Sequence, residues 1–193
     1  MTYRRSAIVA AAAGLALSAC SGGNYRPVAD YPVKIGNPYR VAGETYVPKI
    51  DPDYDVLGYA SWYGNESGDR TANGEKFRPD WITAANKTLP LPTYVEVTAL
   101  DTGKTILVRI NDRGPFRPGR VIDLSRGAAE ALSIRQQGYA RVRVKRVEPP
   151  EKDRERLRKG KEARERPRES DCALQSLRAQ FAAGIRDGLI PPG

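Results

Sequence analysis

The chain has 193 residues, of which 40% are hydrophobic and 28% charged, and its formal net charge is +9. This length allows one domain of ordinary size plus appendages, and the apolar residues concentrate between about Val56 and Val147. The positive charge favours an anionic partner such as a nucleic acid, a membrane surface or an acidic polymer. The chain contains no histidine, so reactions that depend on a histidine side chain are excluded.

Residues 1–19 have the pattern of a secretory signal peptide. A basic start precedes an apolar run, Ala7 to Leu17, that is too short to span a membrane. Cys20 directly follows Leu-Ser-Ala, which resembles a bacterial lipoprotein box, so we expect the processed chain to begin at a lipidated Cys20. The alternative is an ordinary cleaved signal with an incidental cysteine. Lipidation predicts an outer-membrane lipoprotein facing the periplasm, argues against a nucleic-acid partner, and leaves Cys172 without a disulfide partner.

Residues 20–55 are interrupted by prolines throughout, which predicts an extended tether. The prolines are Pro27, Pro32, Pro38, Pro48 and Pro52. Several tyrosines and valines lie between them, too many for a pure linker. We therefore expect part of the tether to lie against the domain surface, with a short hairpin around Ala42-Gly43-Glu44.

Residues 56–148 read as a mainly β domain, because short apolar or alternating runs are separated by Gly and Pro turns. The predicted strands are 56–64, 94–100, 105–110, 120–124 and 140–147. Ser125 is predicted to cap a helix that extends to Leu132. Several short strands with one helix in about ninety residues predict a small β-barrel whose interior is filled by side chains and whose ligand lies in an outer groove.

The segment Asn111-Asp112-Arg113-Gly114-Pro115-Phe116 directly follows a predicted buried strand. A strand end can fix the position of a carboxylate, and the Gly-Pro turn leaves space beside it for a ligand. Asp112 is therefore a candidate functional residue. The alternative is a structural aspartate that caps its own turn.

The C-terminal part divides into two segments. Residues 149–170 are highly charged, so we expect a disordered or solvated linker that is partly helical between Glu151 and Glu165. Residues 171–190 predict an amphipathic helix, since apolar residues recur at spacings of three and four. These residues are Leu174, Leu177, Phe181 and Ile185. The stripe has three possible docking surfaces: the chain's own barrel, a protein partner or a membrane.

Six segments in order resemble the rare lipoprotein A (RlpA) family. They are Ala60-Ser61-Trp62-Tyr63-Gly64, Thr71-Ala72-Asn73-Gly74-Glu75, Thr83-Ala84-Ala85, Lys87-Thr88-Leu89-Pro90, Val108 to Phe116 and Ile122-Asp123-Leu124-Ser125. The resemblance implies a six-stranded double-psi β-barrel, the fold shared with expansins and family 45 endoglucanases. It also implies lytic transglycosylase activity on peptidoglycan, with a preference for glycan stripped of its peptides.

The family's three functional positions correspond here to Glu75, Asn86 and Asp112. In a lytic transglycosylase one carboxylic acid protonates the glycosidic oxygen and then, as the conjugate base, takes the proton of the muramyl 6-hydroxyl. At the position of Asn86 the resemblance implies a histidine. Asparagine carries an amide in its place, and an amide cannot exchange a proton. Asp112 and Glu75 remain as the expected catalytic pair. Asn86 is expected to orient a sugar hydroxyl or one of the carboxylates.

Four further residues are candidates for substrate binding. Asp123 matches an acidic position of expansins by resemblance, although it also suits a bond to the start of the following helix. Arg113 would lower the pKa of its neighbour Asp112 if it points inward. Trp62 and Tyr63 are expected to form a sugar-stacking floor or to belong to the core. No cofactor is expected, and no metal site is expected without histidines or clustered carboxylates.

Three functions stay open from the sequence. The first is a lipid-anchored endolytic transglycosylase that cleaves glycan to 1,6-anhydro products, a lyase. The second is a peptidoglycan-binding module without turnover, for which the missing histidine speaks. The third is a tether between outer membrane and cell wall, whose basic C-terminal segment recruits a partner such as a cell-division protein.

Overall fold

A computed structural model describes residues 24–64 and 68–191. The predicted signal peptide and Cys20 lie outside the described residues. Within those ranges no helix has the length and apolar character needed to cross a membrane. The strands are β1 (Tyr39–Val41), β2 (Glu44–Tyr46), β3 (Asp55–Tyr63), β4 (Thr83–Ala85), β5 (Thr93–Ala99), β6 (Thr105–Asp112), β7 (Arg120–Ser125) and β8 (Tyr139–Arg146). The helices are α1 (Arg126–Ala131), α2 (Glu151–Arg158) and α3 (Asp171–Arg186), with a 3₁₀ turn at Arg135–Gln137.

Six strands close into a barrel in the order β3-β7-β4-β6-β5-β8. The pairs β3/β7 and β4/β6 are parallel and the other four are antiparallel. The interior is filled by branched and small apolar side chains, and the innermost include Val95, Val97, Ile110, Leu124 and Val142. The prediction of a mainly β barrel with few short helices is confirmed. The short strand β4 was not predicted, since three residues carry too little periodicity to identify a strand.

Residues 24–54, which we call the strap, lie along the rim of the barrel. The predicted hairpin is present as β1 and β2, with Tyr39 opposite Tyr46. Its turn residues Ala42 and Gly43 both have positive φ, as a tight hairpin turn requires. The strap also bonds the barrel through a backbone pair between Lys34 and Leu91, at 2.8 Å in each direction. The strap is therefore fixed to the domain over much of its length.

The C-terminal segments pack on the barrel. Ser125 caps α1 as predicted, by accepting a hydrogen bond from the N–H of Ala128. The predicted helix after Glu151 is shorter than expected and ends at Arg158. Within this charged segment Asp153 and Leu157 are fully buried, which its composition did not predict.

The apolar stripe of α3 covers the chain's own barrel. Leu177 and Phe181 cluster with Leu100, and the Phe181 ring meets Tyr59 edge-on at 5.2 Å between centroids. The Arg178 guanidinium adds hydrogen bonds to backbone carbonyls at the β5–β6 turn. Of the three predicted docking surfaces, the structure therefore shows the first.

Candidate active site

A β-bulge at the end of β6 separates the roles of Asn111 and Asp112. In the pairing of β4 with β6, Ala84 lies opposite Ile110 but Ala85 lies opposite Asp112, so Asn111 is the additional residue. Bulges re-aim side chains and are frequent beside active sites. Asn111 is buried in the rim, while Asp112 stays partly exposed.

A row of neighbouring side chains crosses four strands at this level. Strand pairing places Ala85 between Asp112 on one side and Asp123 on the other. Ser61 follows beyond Asp123. Neighbours in register share one face of a sheet, so both carboxylates lie on the same face. Their backbones are about 10 Å apart, since adjacent strands are roughly 4.8 Å apart. Ala85 between them is small and buried, whereas both carboxylates are partly exposed.

Asp112 has one bonded and one open carboxylate oxygen. Its Oδ1 accepts the backbone N–H groups of Ala72 at 2.7 Å and of Arg113 at 2.8 Å. No residue in the described ranges donates a hydrogen bond to Oδ2. Burial raises the pKa of Asp112 above its ordinary value, and the two backbone bonds and the Arg113 charge offset only part of that rise. A carboxyl group of this kind suits a general acid.

Arg113 points away from the carboxylate beside it. Its guanidinium donates to the carbonyls of Leu89 at 2.6 Å, Asn86 at 3.3 Å and, in the strap, Ile35 at 2.9 Å. These bonds fix the strap to the rim. The Arg113 side chain therefore has a structural position, and its lowering effect on the pKa of Asp112 is outweighed by burial.

Asp123 is held by Arg120, a residue that sequence reasoning missed. Arg120 donates from Nε to Oδ1 at 3.0 Å and from Nη2 to Oδ2. Burial raises the pKa of Asp123, while Arg120 and Lys87 lower it. The alternative in which Asp123 bonds the start of the following helix is wrong, because the Ser125 hydroxyl takes that place, accepting from the N–H of Ala128.

Glu75 is buried, with 1% of its surface exposed. Its Oε1 accepts hydrogen bonds from Asn73 at 2.9 Å and Arg109 at 2.8 Å. Its Oε2 accepts from Arg109 at 2.7 Å and Asn111 at 3.0 Å. An expected proton exchange with a sugar would require this ion pair to break first. The geometry instead gives Glu75 a positioning role, since it holds Asn111, the neighbour of Asp112.

Asn86 is buried at the rim with its amide fully bonded. Its Oδ1 accepts the N–H groups of Thr88 at 2.9 Å and Leu89 at 2.8 Å. Its Nδ2 donates to the Tyr54 hydroxyl at 3.0 Å and the Val121 carbonyl at 3.2 Å. Two donors and two acceptor positions are thus occupied. The expectation that Asn86 orients a sugar hydroxyl or a carboxylate does not fit these contacts, which hold three segments of scaffold together.

Trp62 and Tyr63 are packed rather than open. Trp62 borders the main core, and the Arg135 guanidinium lies 5.7 Å from its ring centroid. The Tyr63 ring stacks on Phe77 at 5.0 Å. Its hydroxyl is buried without a hydrogen-bond partner among the described residues, and burial raises its pKa well above the ordinary value. The core alternative therefore fits both residues better than a sugar-stacking floor.

The predicted site residues do not line the cavity of about 1030 Å³ that lies between the barrel and the C-terminal segment. That cavity is lined by residues such as Ile106, Gly127, Glu130 and Arg168. Nor do residues 24–64 and 68–191 contain a group of three or more His, Cys, Asp or Glu side chains that could hold a metal ion. The candidate site is the open row around Asp112 and Asp123.

Arg109 is the second residue that sequence reasoning missed. A signal for it exists, since a charge inside the apolar run of β6 needs a buried partner. The partner Glu75 lies 34 residues earlier. Arg120 carried no such signal, because it stands at the exposed start of β7.

A family model described as Lytic transglycolase matches residues 55–144, the whole of the barrel except its last two residues. The barrel of this chain is therefore similar to the lytic transglycosylase domain of the RlpA family. Its closed, mixed six-stranded architecture is the double-psi β-barrel that the family resemblance implies.

Two relatives match over 115 residues of this chain. Endolytic peptidoglycan transglycosylase RlpA of Pseudomonas aeruginosa (strain UCBPP-PA14) is 54% identical over 115 residues, which cover 58% of this chain and 34% of the relative. The protein of the same name from Rickettsia bellii is 45% identical over 115 residues, covering 58% of this chain and 51% of the relative. The chain thus spans a third to a half of these relatives.

Solved structures that match part of this chain include Streptomyces papain inhibitor, with a TM-score of 0.44 and 23% identity, covering 52% of this chain and 100% of the inhibitor. Apo expansin from Clavibacter michiganensis has a TM-score of 0.40 and 19% identity, covering 50% of this chain and 52% of the expansin.

Proposed function

We propose that this chain is a lytic transglycosylase that cleaves peptidoglycan glycan strands at the row around Asp112. One observation carries the proposal: Asp112 combines a raised pKa with a carboxylate oxygen, Oδ2, that no described residue bonds. The named RlpA relatives, endolytic peptidoglycan transglycosylases at 44 to 54% identity, support the substrate and the reaction class.

The proposed reaction needs one proton-exchanging group. Asp112, protonated at Oδ2, gives its proton to the glycosidic oxygen between MurNAc and GlcNAc as the bond breaks. The resulting carboxylate then accepts the proton of the muramyl 6-hydroxyl while that oxygen closes the 1,6-anhydro ring. The acid is regenerated in the same turnover, and no water is consumed.

Other residues of the site position Asp112 or stabilise the charge that develops on the sugar ring. Glu75 and Asn111 hold the bulge that turns Asp112 toward the groove. Asp123, on the same face, is an anion held by Arg120 and offers electrostatic stabilisation to the oxocarbenium-like ring at a distance. Asn86 supports the scaffold and takes no part in proton transfer.

We further propose that the protein works in the bacterial cell envelope as a lipoprotein anchored at Cys20 in the outer membrane and facing the periplasm. The signal-like residues 1–19 and the cysteine after Leu-Ser-Ala support this location. Peptidoglycan strands are the proposed partner. Cell-division proteins stay a prediction, supported only by the basic charge of the chain.

A second candidate function is a peptidoglycan-binding module without turnover. Two observations favour it. Asn86 stands where the family has a histidine, and its hydrogen-bonded amide does not exchange protons. Glu75 is held in an ion pair with Arg109. The same open row would then bind glycan without breaking it.

The test is mass spectrometry of soluble products after the full chain is incubated with amidase-treated sacculi, beside the variant Asp112→Asn. Asparagine keeps the shape of the side chain and removes the proton that is transferred. We expect 1,6-anhydro-ended glycans from the native chain and none from the variant. If neither protein releases glycan while both pellet with the sacculi, the binding module is the correct function.

A further inference from the structure

Three aromatic rings meet beside the candidate site, and two of them come from the strap. Tyr39 and Tyr46, on facing strands of the hairpin, stack at 5.4 Å between centroids. Phe116, four residues after Asp112, contacts both rings, at 6.1 Å from Tyr39 and 5.5 Å from Tyr46. The hairpin therefore packs directly on the turn that follows the candidate acid.

The three rings differ in what they leave exposed. Tyr46 is buried, and Tyr39 is anchored by a 2.7 Å hydrogen bond from its hydroxyl to the carbonyl of Lys87. Phe116 is 41% exposed. Two rings thus support a third whose free face is open to solvent.

The Phe116 ring also borders the row of carboxylates. Gly114 has no side chain, and a Cβ placed there would lie 3.7 Å from the Cβ of Ala85 and 3.9 Å from Cε2 of Phe116. Ala85 is the residue between Asp112 and Asp123. The Phe116 ring therefore lies close to the row of carboxylates, with only Gly114 packed between it and Ala85.

From the closeness of this exposed ring to the carboxylates we infer that Phe116 is a sugar-stacking residue of the glycan site and that the strap hairpin, which lies outside residues 55–144, forms its supporting wall. The inference rests on the proposed function for the identity of the ligand. The apolar C–H face of a pyranose ring packs on an aromatic face, and a rigidly held ring loses little entropy on binding. A sugar ring stacked on Phe116 would place the next sugar of the same glycan chain beside Asp112.

The strap is held firmly enough for this role. Besides the hairpin, it bonds each rim segment of the site: Arg26 N–H to the Gly74 carbonyl at 2.7 Å, and Lys49 N–H to the Thr88 carbonyl at 3.0 Å. Together with the bond from Arg113 to the Ile35 carbonyl, these contacts make the strap part of the binding domain.

The experiment measures binding without turnover, in the full chain carrying Asp112→Asn. The probe is a peptide-free glycan oligosaccharide released from amidase-treated sacculi, and its dissociation constant is measured by calorimetry for Phe116→Leu and Phe116→Trp. We expect Phe116→Leu, which keeps apolar packing but removes the ring, to weaken binding roughly tenfold, and Phe116→Trp to retain it. Thermal unfolding monitors whether each variant is folded.

Two matched controls separate stacking from packing. Leu189 is also an exposed apolar side chain, at 80%, but lies beside Asp55 and Leu57 at the start of β3, whereas the row crosses β3 at Ser61; Leu189→Ala should bind as the parent does. For the hairpin, Tyr39→Leu should weaken binding, whereas Tyr39→Phe, which keeps the ring and loses only the hydroxyl, should not.

Phe116→Leu that binds within about twofold of its parent overturns the inference, as does a parent that does not bind the oligosaccharide at all. Failure of this inference can be distinguished from failure of the proposed reaction. If native protein releases no 1,6-anhydro product but Phe116→Leu still lowers affinity, only the catalytic proposal fails. If Phe116→Leu cleaves sacculi with unchanged KM, only this inference fails.

Discussion

Replacement of Asp30 by asparagine tests whether the strap is an integral part of the barrel. The Asp30 carboxylate bonds the Arg158 guanidinium, lies 3.6 Å from Nε of Arg109 and accepts the Tyr94 hydroxyl at 2.7 Å. Arg109 in turn holds Glu75. Strap, barrel and α2 thus share a network in which two arginines contact three carboxylates, those of Asp30, Glu75 and Glu151. Asp30→Asn removes the carboxylate that lies between the two arginines and weakens the link of the strap to both.

The expected cost follows from burial. The side chains of Arg109 and Glu75 are each 1% exposed and that of Asp30 is 10% exposed. Breaking a buried pair by removal of one partner costs about 3–5 kcal/mol. Arg158 is more exposed and retains Glu151, so we expect the lower end, about 3 kcal/mol of unfolding free energy. For a chain of this length that corresponds to a melting temperature roughly 6–12 °C lower.

The assay is urea unfolding followed by circular dichroism, with Asp101→Asn as control. Asp101 also pairs with an arginine, Arg141, but both side chains are well exposed, so its loss should cost less than about 1 kcal/mol. A double-mutant cycle of Asp30→Asn with Arg158→Met should show coupling. An Asp30→Asn variant no less stable than Asp101→Asn would refute the view that the strap is joined to the barrel by a buried network.

Two further predictions concern buried polar groups. Asn86→Ala should lower the unfolding free energy by about 2–3 kcal/mol, because the N–H groups of Thr88 and Leu89 lose their acceptor; unchanged stability with weaker glycan binding would instead show that the amide contacts sugar. Hydrogen bonds from Arg164 hold the pKa of Asp153 at about 2, against burial that raises it. The pKa of Asp153 is lower in the folded chain than in the unfolded chain, so its carboxylate stabilises the fold above about pH 4, and this stabilisation is lost as the pH falls toward 2. The unfolding free energy of Asp153→Asn should therefore decrease less than that of the native chain across that pH range.

The barrel strands were predictable because their signals are local. Alternation along residues 94–100 and 140–147, and the turn between 100 and 105, depend on neighbours in sequence. Strand β4 was missed, since three buried residues show no period. The same holds for the end of α2, where charged residues continue beyond Arg158 without a change in composition.

The site was predictable only in part. Asp112 was found from its place at a strand end and from the family resemblance. Glu75 was expected to be catalytic, and its burial could not be predicted, because it depends on Arg109, 34 residues later in the chain. Asp30 gave no signal in a proline-rich tether, since a carboxylate there is ordinarily solvated. Contacts between segments far apart in sequence are what single-sequence patterns do not contain.

The distribution of bound and open groups favours ring closure over hydrolysis. A hydrolase of this kind needs one carboxyl as acid and a second to activate water or attack the sugar. Here Glu75 is locked by Arg109, and both oxygens of Asp123 accept from Arg120. Asp112 alone has an open oxygen among these three. One acid that returns to its starting state suffices when the nucleophile is the substrate's own hydroxyl, so the proposed reaction does not require proton exchange at Asn86.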